Sequence, residues 1–183
     1  MIRTLRKIPT WALTLILGAV CCCSMYYSVD LLSSVVGQYL AITKAVLAIV
    51  LIVVGILRAL FIRLFARLVY VVANRIFFAT TKGIPDYNLR RLPFAYPDFL
   101  RWALLWTIVF EALHAVLVVL MYAAPYAVLL LTWAASILQL VCWGLCFWCL
   151  NRNHVPAWQT GRTFVALAIP AGILFVLAAI LTM

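Results

Sequence analysis

Apolar residues run through this chain in five long blocks, at about 11–29, 42–60, 102–122, 126–150 and 164–182, with most of the charge confined to the segments between them. A hydrocarbon core roughly 30 Å thick is crossed by about 20 apolar residues in helical form, and a backbone in lipid must satisfy its own hydrogen bonds. Each block therefore predicts a transmembrane helix, and none shows the alternation of a barrel strand. Residues 61–82 (FIRLFARLVYVVANRIFFATTK) break the pattern, being apolar but punctuated by Arg63, Arg67, Asn74 and Arg75. On a helix, Arg63, Arg67 and Asn74 fall within about 40° of one another, leaving Leu64, Val71, Val72 and Phe78 for lipid or protein contact. The spacing predicts a cytoplasmic interfacial helix, either separate or a direct extension of the second span, that serves as a membrane-surface anchor or a basic docking helix. The loop at about 83–101 carries Pro85, Pro93 and Pro97, which exclude one continuous helix. Asp86 can pair with Arg90 and Asp98 with Arg101, while Tyr87, Phe94, Tyr96 and Phe99 can rest at headgroup level.

Composition turns this pattern into a class. A chain of 183 residues that is 69% hydrophobic and 10% charged, with mean hydropathy +1.19, lacks the polar surface of a soluble domain. The expected fold is all-α: one polytopic integral membrane bundle over 1–183, with five transmembrane helices plus the interfacial helix. Five spans put the termini on opposite sides. With the N-terminus inside, every one of the 14 Lys and Arg residues except Lys44 is cytoplasmic, so the positive-inside bias predicts an outside C-terminus. The formal charge of +10 is then matched to anionic inner-leaflet lipid, and a nucleic-acid partner is unnecessary. The expected location is an integral, multi-pass position in a membrane, the cell membrane if the source is bacterial.

Arg3, Arg6 and Lys7, followed by an apolar stretch to Val20 and then Cys21, have the outline of a secretory or lipoprotein signal. Val20 and Gly18 depart from a lipoprotein site, and the apolar tract continues past it, so a retained anchor is expected. Cys21, Cys22 and Cys23 are consecutive, and Cys142, Cys146 and Cys149 follow helical spacing. Neither set has paired zinc-ribbon spacing, and the expectation is small apolar filler and no metal, with acylation of Cys149 as an alternative.

One constellation has chemical potential. Glu111 lies near the middle of the third span, with Thr107 and His114 each one turn away on the same face. The fourth span carries Thr132, Ser136 and Gln139 at i, i+4 and i+7, and the short 123–125 connection makes the two spans an antiparallel hairpin. The reading is a buried polar seam between them, acting as interhelical glue or as a proton or substrate site. A Ser136–His114–Glu111 triad fails because Glu111 and His114 share one helix face, and there is no HExxH pair or glycine-rich phosphate loop. No enzyme and no cofactor are expected. Pro170 and Gly172 in the last span suggest a kink or a close helix contact.

The order of these pieces, with the YPDFLRWALLWTIVFEAL segment entering the third span and a tight 123–125 hairpin after it, resembles the Yip family of membrane-trafficking proteins over about 11–182. The long polar N-terminal region of many eukaryotic members has no counterpart here. The resemblance implies a non-enzymatic membrane protein acting through partners or bilayer organisation. The functional expectation is an accessory or scaffold subunit contacting membrane proteins or lipids, with a membrane-protein partner or a homo-oligomer. Arg63, Arg67, Arg75, Arg90 and Arg91 are the expected partner or headgroup contacts. The alternative is a small proton-linked transporter using the Glu111/His114 site.

Overall fold

The computed structural model describes residues 8–24, 44–81, 83 and 90–182, with backbone alone at 44, 122, 125, 128 and 177–182. The described residues form five α-helices: α1 Thr10–Ser24, α2 Lys44–Thr80, α3 Tyr96–Ala123, α4 Val128–His154 and α5 Thr160–Thr182. No strand occurs among them. Helices α2 to α5 are long and apolar enough to cross a membrane, and α1 is a shorter apolar helix. This agrees with an all-α membrane protein. Of the expected five spans four reach full length, while residues 25–29 of the first lie outside the described residues.

Local chemistry sets the helix ends. Helix α3 begins after extended Ala95, with Pro97 in its first turn, where a missing N–H costs nothing, and Asp98 beside the positive end of the helix dipole. It ends where the Ala124 N–H donates to the Leu120 carbonyl, and a single 3₁₀ turn, Pro125–Ala127, reverses the chain into α4. That tight connection makes α3 and α4 the antiparallel hairpin the sequence predicted. At the end of α4 the Val155 N–H closes on the Asn151 carbonyl, and extended Pro156 stops the helix. Pro170 lies inside α5, which runs on through it. A side chain built on Gly172 would meet nothing within 4 Å, so this glycine is not a point of close helix approach.

Of the two forms expected for residues 61–82, the structure has the direct extension of the second span. Residues 61–80 continue the second span as one 37-residue helix, about 56 Å long, well beyond the roughly 30 Å of a hydrocarbon core. Gly55, Ala59, Ala66, Val69, Ala73 and Phe77 are buried along it, a stripe of mostly small residues that lets neighbouring backbones come close. Gly55 is the tightest point: a Cβ there would stand 3.0 Å from the backbone nitrogen of Cys22 and 3.1 Å from its Sγ. Gly18 faces Ala59 four residues further along α2, with a built Cβ 4.0 Å from the Ala59 methyl. As the chain ascends α1 it descends α2, so these helices are antiparallel.

The same test fixes α3. Arg58 meets Glu111 and Tyr70 meets Phe99, so α2 and α3 are also antiparallel. The Arg101 Nε donates to the Ile8 carbonyl at 3.3 Å, which puts the start of α1 at the start of α3. Phe147 of α4 packs edge-on against Phe164 of α5. One end of the bundle therefore gathers the start of α1, the segment leading into α3 and the α4–α5 connection, and with them Arg101, Arg152 and Arg162. The far part of α2 extends beyond that end.

Candidate functional site

The buried carboxylate finds its partner on α2. Arg58 Nη2 stands 2.8 Å from Glu111 Oε1, with the Glu111 side chain 1% exposed and that of Arg58 31% exposed. An isolated charge at the centre of a span costs about 2.5–3.5 kcal/mol on insertion scales, and two opposed charges in contact relieve each other. The sequence reading put Arg58 at the cytoplasmic edge of the second span and Glu111 near the middle of the third. Contact puts both at one level, so those two placements are incompatible. Arg58 belongs to the bundle interior, reaching α3 beside the small residues Gly55 and Ala59.

Around this pair lies a cavity of about 200 Å³ whose lining includes Arg58, Glu111, Thr107, Gln139, Trp106 and Trp143. Three members of the expected polar seam, Glu111, Thr107 and Gln139, are thus brought together across α3 and α4. The Thr107 hydroxyl donates back to the Ala103 carbonyl at 2.7 Å. The other three are not part of this lining. Ser136 donates to the Thr132 carbonyl of its own helix at 3.1 Å, Thr132 is exposed, and the half-buried His114 ring stacks on Phe110 with centroids 5.5 Å apart. Glu111 Oε2 and His114 Nδ1 are buried without a hydrogen-bond partner among the described residues. Hydroxyls on a helix return to the carbonyl four residues back when no partner helix offers a better acceptor.

A second cavity of about 190 Å³ adjoins the first, sharing Phe65, Gln139, Trp143 and Phe175 as walls, and continues between α4 and α5 along Gly144, Ala168 and Gly172. Cys142 and Cys146 are buried free thiols in the wall of the first cavity, and Cys21 is likewise a buried free thiol. Among the described residues no group of three His, Cys, Asp or Glu side chains is arranged to hold a metal ion.

The arginines expected to meet a partner divide into two kinds. Arg63, Arg67 and Arg75 are exposed on α2. Arg90 instead lies over the Phe78 ring, 4.3 Å from its centroid, a cation–π contact that ties the loop to α2, while Arg91 is exposed. Asn74, grouped by angle with Arg63 and Arg67, uses its Oδ1 to accept the Leu92 N–H at 3.1 Å. The Tyr70 hydroxyl donates to the Phe94 carbonyl at 3.0 Å, and the Tyr70 ring packs on Phe94, Tyr96 and Phe99. Phe94 and Phe99 are buried against protein and unavailable to lipid headgroups. The expected Asp98–Arg101 pair forms at 3.0 Å, whereas Asp86 and Tyr87 lie outside the described residues.

The residue that sequence reasoning missed as a site member is Arg58. A signal was present: it interrupts GILRALFI, an otherwise apolar run, at one turn from Gly55 on the small-residue stripe. Compared with known proteins, the chain matches no family model, no curated protein and no solved structure.

Proposed function

We propose that this chain is a non-enzymatic, multi-pass membrane protein that acts as an accessory or scaffold subunit through contacts with another membrane protein. The observation that carries this reading is the use of its buried carboxylate: Glu111 is paired to Arg58 and joins α2 to α3. A charge engaged in that way holds helices together and gives the long α2 a fixed base. Beyond that base α2 carries Arg67 and Arg75 outward, with Arg63 close to the same level and also exposed, a basic face suited to an acidic surface on a partner or to anionic headgroups. The proposed topology has five spans, the N-terminus and the arginine-rich end inside and the C-terminus outside, consistent with the gathering of Arg101, Arg152 and Arg162 at one end of the bundle. The proposed kinship with Yip-type trafficking proteins rests on the order of spans and loops alone.

The test is purification of the intact protein in mild detergent with mass spectrometry of what accompanies it, repeated with Arg63→Glu/Arg67→Glu. A stoichiometric membrane partner lost on charge reversal supports the reading; a lone chain, or a partner indifferent to the reversal, removes it.

A second reading, a small proton-linked transporter, draws on the unpartnered Glu111 Oε2 and His114 Nδ1 and on the cavity that reaches Glu111. Reconstituted vesicles under an imposed pH gradient distinguish the two. Proton flux that disappears in Glu111→Gln favours transport, and no flux above protein-free vesicles favours the scaffold.

A further inference from the structure

The two adjoining cavities pose a question that neither reading of Glu111 answers, namely what fills them in a bilayer. The first contains the charge pair and the second is apolar, bounded by residues such as Leu140, Phe147 and Ala171. Together they exceed the roughly 300 Å³ at which small-ligand sites begin. We propose that they hold one uncharged amphiphile, its carbonyl-bearing head beside Arg58 and Gln139 and its apolar tail in the second cavity between α4 and α5.

Three observations select this ligand chemistry. Arg58 and Glu111 already cancel each other, so a ligand with net charge would enter the interior uncompensated, at a high desolvation cost. The lining offers a ligand donors, the N–H groups of the Arg58 guanidinium and of the Gln139 amide, beside acceptors that include the unpartnered Glu111 Oε2. The Thr107 hydroxyl already donates its hydrogen bond to the Ala103 carbonyl. The donors call for an acceptor, which a carbonyl oxygen supplies, and the hydroxyls of an acylglycerol would in addition meet Glu111 Oε2. Depth argues the same way: Glu111 lies near the midpoint of α3, where a phosphate headgroup does not reside and an uncharged lipid does. The aromatic walls Phe65, Trp106, Phe110 and Trp143 suit either a flat quinone ring or the ester of an acylglycerol. These share the carbonyl chemistry and come from different lipid pools.

Two glycines make the proposal testable without damaging the fold. Gly144 and Gly172 line the tail cavity, and a Cβ on either meets nothing within 4 Å. Leucine at these positions extends into the space while raising helix propensity. The experiment measures binding of decylubiquinone, monooleoylglycerol and oleate to the full chain in detergent, by thermal shift and tryptophan quenching, for the native sequence, Gly144→Leu and Gly172→Leu. The expected result is saturable binding of at least one uncharged probe, weakened about tenfold or more by at least one leucine variant whose ligand-free melting temperature is not lowered. Preference between quinone and acylglycerol then assigns the lipid pool. Tighter binding of oleate than of both uncharged probes, no saturable binding, or binding unchanged in both variants would overturn the proposal.

Discussion

The two ends of the α2–α3 contact solve the same packing problem by different means. In the bundle, α2 is held to α3 by a charge pair, Arg58 to Glu111. Where α2 passes the start of α3, the same hairpin is held by aromatic rings around Tyr70 and by two hydrogen bonds to backbone, Tyr70 to Phe94 and Leu92 to Asn74. The difference follows from what competes. Inside an apolar bundle no water solvates a separated carboxylate, so the pair is strongly held and removal of one partner strands the other. Near the chain's loops water competes for ions, surface pairs are worth little, and buried rings with satisfied backbone groups provide the holding. Arg67 and Arg75, and Arg63 nearer the charge pair, are left exposed on α2, available for use elsewhere.

This contrast predicts its own largest mutational effect. Glu111→Ala or Arg58→Ala is expected to destabilise the protein by about 3–5 kcal/mol, and Arg58→Leu/Glu111→Leu together to recover most of that loss. SDS unfolding in mixed micelles measures all three. Singles costing no more than a surface pair would show that the interior contact is not different in kind from an exposed one.

At the other end, Asn74→Ala leaves the Leu92 N–H without its acceptor and is expected to cost about 1–3 kcal/mol, concentrated in local opening. Hydrogen exchange should accelerate at 90–95 and stay unchanged at α3 residues around Glu111. Equal acceleration in both places would mean the two ends form one cooperative unit.

Smaller effects sharpen the picture at the glycines. Gly55→Ala places a Cβ against Cys22 and is expected to cost about 1 kcal/mol net, overpacking outweighing the gain in helix propensity. Gly172→Ala, which meets open space, is expected to gain about 0.5–1 kcal/mol. Unfolding curves for the pair should therefore shift in opposite directions. The smallest effect belongs to Arg63→Glu/Arg67→Glu, expected to change stability by no more than about 0.5 kcal/mol per site. A large loss there would move these residues from a binding role to a structural one.

Much of this arrangement was legible from residues alone, and the reasons are local. Block length and hydropathy announce long apolar helices because a bilayer demands about 20 residues of them. The α3–α4 turn is legible because Pro125 and its two preceding alanines leave room for nothing but reversal. Asp98 and Arg101 are one helical turn apart and pair as expected. Other expectations were shaped by assuming that polar residues meet along the nearest hairpin. Thr132 and Ser136 have the correct spacing for a seam, yet Ser136 satisfies itself on its own helix. Phe94 and Phe99 look like interfacial anchors in a linear reading but pack on Tyr70, 24 and 29 positions away in sequence numbering.

The sequence by itself determined the class of protein, its helical character, its excess of basic residues, and Glu111 as the costly group needing a partner. Those properties depend on transfer free energies and helix geometry, which each segment carries independently of the others. Only the tertiary structure decided that the partner is Arg58, that α2 is a single helix running past the bundle, and that Thr107 and Gln139 share a cavity with the charge pair while His114 turns to Phe110. Those outcomes depend on the relative register of helices distant in the chain. Between α1 and α2 the close approaches at 18, 55 and 59 show such a register, and no one-dimensional pattern specifies which stripe will face which.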